Sequence, residues 1–495
     1  MVQPQAGEAE NRPQEKPVSG ETLEGQARRE PAGSRPVRRQ ARHRPAAGTA
    51  LSWRKRIRWI EMVLLLPTPA LLAAGLAQLS LLRSGQVTAS DLRPAVLSAA
   101  ALLGCSLLLS LCDFRGDQLL LPLASLLTAV GLLFVNRLEP AVRDRYGAVG
   151  EKQWLWAALG LAIFLFVLLL TRRWTWRGKV LSWDLLLMRY RYVVLILGLL
   201  LVGVTMVFGV EVNGARLWLR LGPFQFQPSE VLKLALVAFL AAYLEDKRDL
   251  VAFSGFRLGR IPLPPIPYLL PLVLMLALSL AVLAFQRDLG AAMLTFGIFL
   301  SMLYVASSRL SYLVAGGGAF ALAVVGLYRL AGGIAALSHV RTRIAVWLSP
   351  WTSEGAYQVI QGLYAFASGG LLGQGLGQGA PTLVPESHTD FIFAAVGEEW
   401  GLLGTTAVLL LYVLFVSRSL AVSLKAREGF LQLLGVGLSV ALAIQVAIIA
   451  GGNLVLIPLT GITLPFISYG GTSLLANFAA AALLSRISSS GRGSE

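Results

Sequence analysis

From residue 59 onward, long apolar runs broken by short polar segments dominate the chain. A helix needs about 20 apolar residues to cross roughly 30 Å of hydrocarbon. Runs near that length occur at 60–82, 95–112, 118–135, 153–171, 192–210, 230–244, 267–285, 289–306, 310–330, 402–420, 431–451 and 468–486. The pattern predicts an all-α fold, a polytopic membrane helical bundle of about 12 transmembrane helices. Residues 1–58 lack the periodicity and are rich in Pro, Gly, Glu, Gln and Arg, which predicts a disordered basic tail. The longest interruption, 331–401, contains Trp347, Trp351, Tyr357, Phe391 and Phe393, which predict short ordered helices at the membrane interface. A short tail, 487–495, follows the last run.

Composition agrees: 55% of residues are hydrophobic and 14% charged, and the mean hydropathy is +0.66. Charge sets the expected orientation. The cluster Arg54–Arg58 directly precedes the first run and marks an uncleaved span with its N-terminus inside. Alternation from there places Arg172, Arg189, Arg191, Lys247, Arg309, Arg418 and Lys425 in the cytoplasm, together with the C-terminus, and loop 331–401 on the extracytoplasmic side of the membrane. Asn136–Gln153 is the exception, because it carries Arg137, Arg143, Arg145 and Lys152 on the outer side. With a formal charge of +16, the chain suits anionic membrane lipid; nucleic acid is not expected, because the tail lacks interleaved aromatics. Cys105 and Cys112 would lie about 10 Å apart along one helix, too far to bridge. With His43, His339 and His388 scattered, no zinc site is expected, and no motif calls for an organic cofactor.

Charges beside or within apolar runs are costly, so each is a candidate for function. Glu230 and Lys233 stand one helical turn apart in QPSEVLKLALV; they could hold an anionic substrate, or form a structural ion pair that lets both charges enter the membrane. Arg287 and Asp288 in FQRDLG fall between two runs, where a polar turn is the alternative to a functional site. Segment 368–401 holds a glycine-rich stretch, the cluster PESHTD and then Glu398 and Glu399. No phosphate-loop Lys-Ser/Thr follows the glycines, so a nucleotide site is not supported. The expectation is a flexible stretch whose backbone approaches a ligand, followed by Asp390 as general base or as an ordinary solvated carboxylate.

Five ordered pieces resemble the SEDS family, the FtsW/RodA/SpoVE glycosyltransferases of bacterial cell-wall synthesis. They are NGARLWLRLGPFQFQPSEVLKLA (213–235), FQRDLGAAML (285–294), YQVIQGLYAFASGGLLGQGLGQG (357–379), PESHTDFIFAAVGEEWGLLG (385–404) and TGITLPFISYGGTSLLANF (460–478). The resemblance covers about 118–486 and implies a ten-span core, which makes residues 59–117, with two further helices, an addition of open role. It implies a peptidoglycan glycosyltransferase that joins lipid II into glycan strands at the outer membrane face, in cell division or elongation, beside a class B penicillin-binding transpeptidase. It makes Asp390 the catalytic residue. Arg216, Glu230, Lys233, Asp288, Arg341, Arg343, His388, Ser468 and Tyr469 become substrate-binding candidates, and a divalent cation (Mg or Mn), held in part by Asp390, is expected to assist. Two residues depart from the family pattern: Arg287 replaces a usual proline, and Leu217 a usual basic or polar residue. The alternatives are a lipid II flippase and a non-catalytic activator of a penicillin-binding protein.

Overall fold

The computed structural model describes residues 57–490 except 173, 177–178, 213–214, 223, 249–255, 259–260, 264–265 and 331–337. The expected basic tail lies outside the described residues up to 56, as do 491–495. Helices form at all twelve apolar runs. In chain order they are α1 (Trp59–Leu65) with α2 (Pro67–Ser84), α3 (Ala89–Leu111), α4 (Leu120–Tyr146) and α5 (Val149–Leu170). A short α6 (Trp183–Arg189) precedes α7 (Arg191–Phe208), α8 (Pro228–Asp246), α9 (Ile266–Phe285), α10 (Leu289–Ser307) and α11 (Leu310–Leu330). After the long loop come α14 (Ile392–Leu424), α15 (Gly429–Asn453) and α16 (Gly471–Ser490).

Among the described residues, 10 helices are long and apolar enough to cross a membrane. Helices α8 and α16 fall short of the twelve expected, for a physical reason. α8 carries Glu230, Lys233, Glu245 and Asp246, and α16 is rich in Ala and Ser. Both are buried along most of their length, so they face other helices rather than lipid and need less hydrophobicity to be stable. The outer helices show the reverse, with Leu322 of α11 74% exposed and Phe208 of α7 74% exposed.

The connections hold short antiparallel pairs that periodicity did not predict: β1 (Trp174–Trp176) with β2 (Lys179–Leu181), β3 (Val210–Val212) with β4 (Ala215–Leu221) and β5 (Phe224–Phe226), and β6 (Phe256–Leu258) with β7 (Ile261–Leu263). In the long loop, α12 (Ser338–Leu348) and α13 (Tyr357–Gly369) form as short helices, followed by a single 3-10 turn at Pro381–Leu383. Helix α14 has 33 residues, about 50 Å if straight. A break at Gly401 (φ 66°, ψ −164°) divides it into a membrane helix and a short segment that belongs to the loop.

Candidate active site

The Asp390 turn is built by its neighbours. Glu386 adopts a left-handed conformation (φ 55°), which lets its carbonyl accept N–H bonds from both Thr389 (3.0 Å) and Phe391 (3.2 Å). Phe391, Ile392 and Phe393 follow at 0–1% exposure and fasten the start of α14 in the core. The segment before α16 holds the turn from the other side. The Ser468 hydroxyl donates to the Thr389 carbonyl (2.6 Å) and accepts from Leu464 N–H (2.8 Å). Tyr469 N–H donates to the His388 carbonyl (2.9 Å), and Asn453 Nδ2 donates to the Asp390 carbonyl (2.8 Å). With its backbone fixed, Asp390 presents its side chain to a cavity of about 240 Å³ lined also by Arg343, Trp347, Gln358, Glu386 and Gly461.

Arg343, from α12, is anchored by donating to the carbonyl of Thr460 (2.8 Å). Gly461, whose φ of +75° favours glycine, lies against both side chains: a β-carbon there would sit in ordinary contact, 3.4 Å from Asp390 Oδ2 and 3.9 Å from Arg343 Nη2. Burial is the main cause that lifts the Asp390 carboxyl to about 7; the negative charge of Glu386 adds to it, Arg343 opposes it, and Asp288 adds again. Burial pushes the His388 imidazole down from its ordinary value. Its ring lies between Tyr146 (centroids 4.7 Å apart) and Tyr469 (5.8 Å). His388, Ser468 and Tyr469 therefore shape the turn and do not line the cavity.

A second, water-sized cavity of about 20 Å³ gathers Glu230, Lys233 and Asp288. Lys233 Nζ donates to Glu230 Oε2 (2.6 Å) and to Gln445 Oε1 (2.8 Å). Asp288 caps α10 by accepting from Ala291 N–H (2.9 Å), and its other carboxyl oxygen has no hydrogen-bond partner. Arg287, in front of Asp288, has φ 61°, a conformation that proline cannot adopt. Arg216 lies on the β3–β4 hairpin, 51% exposed and paired with Glu211 (3.3 Å). Arg341 is exposed on α12. Neither lines either cavity.

The glycine-rich stretch approaches protein backbone rather than a ligand, which corrects the sequence expectation. A β-carbon on Gly369 would meet Gly397 O at 2.0 Å, and one on Gly373 (φ +84°) would meet Glu399 O at 2.2 Å. Gln374 and Gly375 N–H donate to the carbonyls of Glu398 and Glu399 (both 2.9 Å). The two side chains answer: Glu399 accepts from Gly377 N–H (3.0 Å) and Glu398 from Ala380 N–H (2.7 Å). Arg137 closes the clamp by donating to Glu399 (2.9 Å) and to Gly379 O (2.9 Å). This accounts for one of the cations that broke the orientation pattern.

Sequence reasoning did not single out Glu386, whose carboxylate also accepts from Tyr146 and from the Thr389 hydroxyl (3.3 Å). Its place in PESHTD was the available signal. Among the described residues no three His, Cys, Asp or Glu side chains are grouped to hold a metal. Asp390 and Glu386 share the cavity wall, and a hydrated Mg²⁺ is commonly held by one or two carboxylates together with substrate phosphates. The residues present therefore fit a divalent cation only jointly with a diphosphate.

Residues 117–493 match the family model FTSW_RODA_SPOVE, described as cell cycle protein. The chain is 39% identical over 383 residues to peptidoglycan glycosyltransferase RodA of Mycobacterium leprae (strain TN), covering 76% of this chain and 78% of that protein. It is 36% identical to stage V sporulation protein E of Bacillus subtilis (strain 168), covering 75% of this chain and 96% of that protein. Among solved structures it resembles a chain from a study of structural coordination of polymerization and crosslinking by a peptidoglycan synthase complex, with TM-score 0.60, 28% identity, and coverage of 77% of this chain and 99% of that one. It also resembles Thermus thermophilus rod shape determining protein RodA, with TM-score 0.52, 27% identity, and coverage of 77% and 99%.

Proposed function

Because the chain belongs to the FtsW/RodA/SpoVE family, we propose that this multi-pass membrane protein is a peptidoglycan glycosyltransferase that polymerises lipid II. The observation that carries the chemistry is a single carboxyl, Asp390, which lines a cavity beside Arg343 and has its proton affinity raised to about 7. A general base works best with a pKa near the operating pH.

In the reaction, the 4-hydroxyl of the acceptor GlcNAc gives its proton to Asp390 as its oxygen attacks the donor's anomeric carbon. The bond from that carbon to the diphosphate breaks, and the electron pair leaves with the polyprenyl diphosphate. The logic is that of an inverting glycosidase with a sugar hydroxyl in place of water. The leaving group needs no proton but does need its growing charge balanced. Of Arg216, Lys233, Arg341 and Arg343, Arg343 is the one that lines the Asp390 cavity, and its planar fork suits bidentate phosphate contact. A divalent cation (Mg or Mn) held by Asp390 and Glu386 with the substrate diphosphate would supply further charge neutralisation.

Lys233 is already engaged by Glu230 and Gln445. We assign this pair and Asp288 to shaping the bundle interior beneath the site. Cytoplasmic termini, a site on the outer face and a class B penicillin-binding transpeptidase as partner complete the proposal. They are supported by the charge pattern and by the likeness to a chain of a peptidoglycan synthase complex. The test is purified protein with lipid II, with and without divalent cation. Asp390→Asn is expected to lower polymerisation about 10²–10⁴-fold; full activity in a normally folded Asp390→Asn protein would overturn the assignment.

A further inference from the structure

The reaction above makes no use of α1–α3, which precede the matched region beginning at residue 117, yet they are fastened to the bundle along their length. At one end Arg58, 3% exposed, donates to Glu61 (3.0 Å) and to the carbonyls of Phe114 (3.0 Å), Gly116 (3.1 Å) and Asp117 (2.7 Å). Midway, the Thr68 and Ser125 hydroxyls lie 3.1 Å apart, and a β-carbon on Gly75 would overlap Leu133 at 2.6 Å. Leu72, Ala95 and Leu133 form a cluster that Trp400 of α14 joins.

The far end of α2 reaches the clamp behind Asp390. Gln78 Nε2 donates to the Leu376 carbonyl (3.0 Å). A β-carbon on Gly377 would lie 2.7 Å from Leu82 and 3.1 Å from Leu79. Arg83 donates to the Asn136 carbonyl (2.8 Å), one residue before the Arg137 that holds Glu399 and Gly379. The glycine loop is thus enclosed between α2 on one side and Glu398–Gly401 on the other, and the latter segment leads back through a single helical stretch to Asp390.

We propose that the α1–α3 unit is a brace for the catalytic turn, with Gln78 the positioning residue through which α2 sets the glycine loop and, through Glu398 and Glu399, the place of Asp390. A loop this rich in glycine has little internal preference for one conformation, so its geometry is set by what surrounds it. A misplacement of about 1 Å at a reacting group can cost about 10²-fold in rate. The proposal rests on Asp390 as the base of the glycosyltransferase reaction.

The test compares the full-length wild type with Gln78→Glu, which loses the donor and faces a carbonyl with a carboxylate, and Gln78→Lys, which keeps a donor. Hydrogen exchange of residues 373–391 and lipid II polymerisation as a function of pH are both read. Gln78→Glu is expected to speed exchange in the glycine loop, lower kcat about tenfold with little change in KM, and move the midpoint of the pH–rate curve. Gln78→Lys is expected to restore all three. Leu82→Ala, at a half-exposed position, is expected to act in the same direction and guards against a folding defect peculiar to the first variant. Wild-type exchange and kcat in both Gln78→Glu and Leu82→Ala would overturn the brace, as would a loss that Gln78→Lys fails to rescue. Faster exchange in a protein whose wild type polymerises no lipid II would support the brace and count against the glycosyltransferase reading alone.

Discussion

At the scale of a residue, the Asp390 carboxyl links activity to stability with opposite signs. It must be ionised to take a proton, and burial holds its pKa at about 7. Polymerisation should therefore rise as pH climbs through neutrality, and a kcat profile flat across that range would argue against Asp390 as the titrating base. For stability, a carboxyl whose folded pKa is raised favours the fold while protonated. That contribution is whole below the unfolded value of about 3.9, falls as pH rises toward 7, and is gone above it. Asp390→Asn should accordingly melt at a higher temperature than wild type above pH 7 and together with it in strong acid, as thermal denaturation in detergent would show. The sequence made Asp390 and Arg343 visible, one through its motif and one through its charge. It did not reveal that Glu386 flanks them, because that contact depends on a left-handed turn and a hydroxyl from Tyr146 240 residues away in sequence.

At the scale of an element, the site depends on glycines that admit another backbone. Gly373→Ala would drive a β-carbon to 2.2 Å from the Glu399 carbonyl at a φ of +84°. The substitution should cost more than about 2 kcal/mol and shed activity with it; denaturation midpoints and polymerisation of the purified variant check both. Hydrophobic periodicity located all twelve helical runs, because lipid imposes length and apolarity on each one separately. It also began an apolar run at 402, next to the break at Gly401, and the aromatic residues of 331–401 pointed to short helices where α12 and α13 form. It could not tell that α8 and α16 would be sheathed by other helices, which depends on neighbours distant in sequence, nor that short strands would pair in the connections, where the runs are too brief to show a period. The glycine stretch was misread because its partner is the helix start 25 or so residues later, and nothing local distinguishes that from an approach to ligand.

At the scale of the whole molecule, α8 runs through the interior with an ion pair of side chains only 7% and 10% exposed. A lone charge left there would be far costlier than the pair. Lys233→Met or Glu230→Gln alone should each destabilise the protein by roughly 3–5 kcal/mol, while the double variant recovers much of the loss; unfolding in detergent measures the cycle, and additive losses would refute the coupling. Size sets a different limit at the Asp390 cavity. Its volume, about 240 Å³, is below the roughly 300–1,000 Å³ of pockets that engulf drug-sized ligands, and a lipid-linked disaccharide peptide is larger than those. A cavity of this size takes only the reacting part of such a substrate, so under the proposed reaction the growing strand extends outside it.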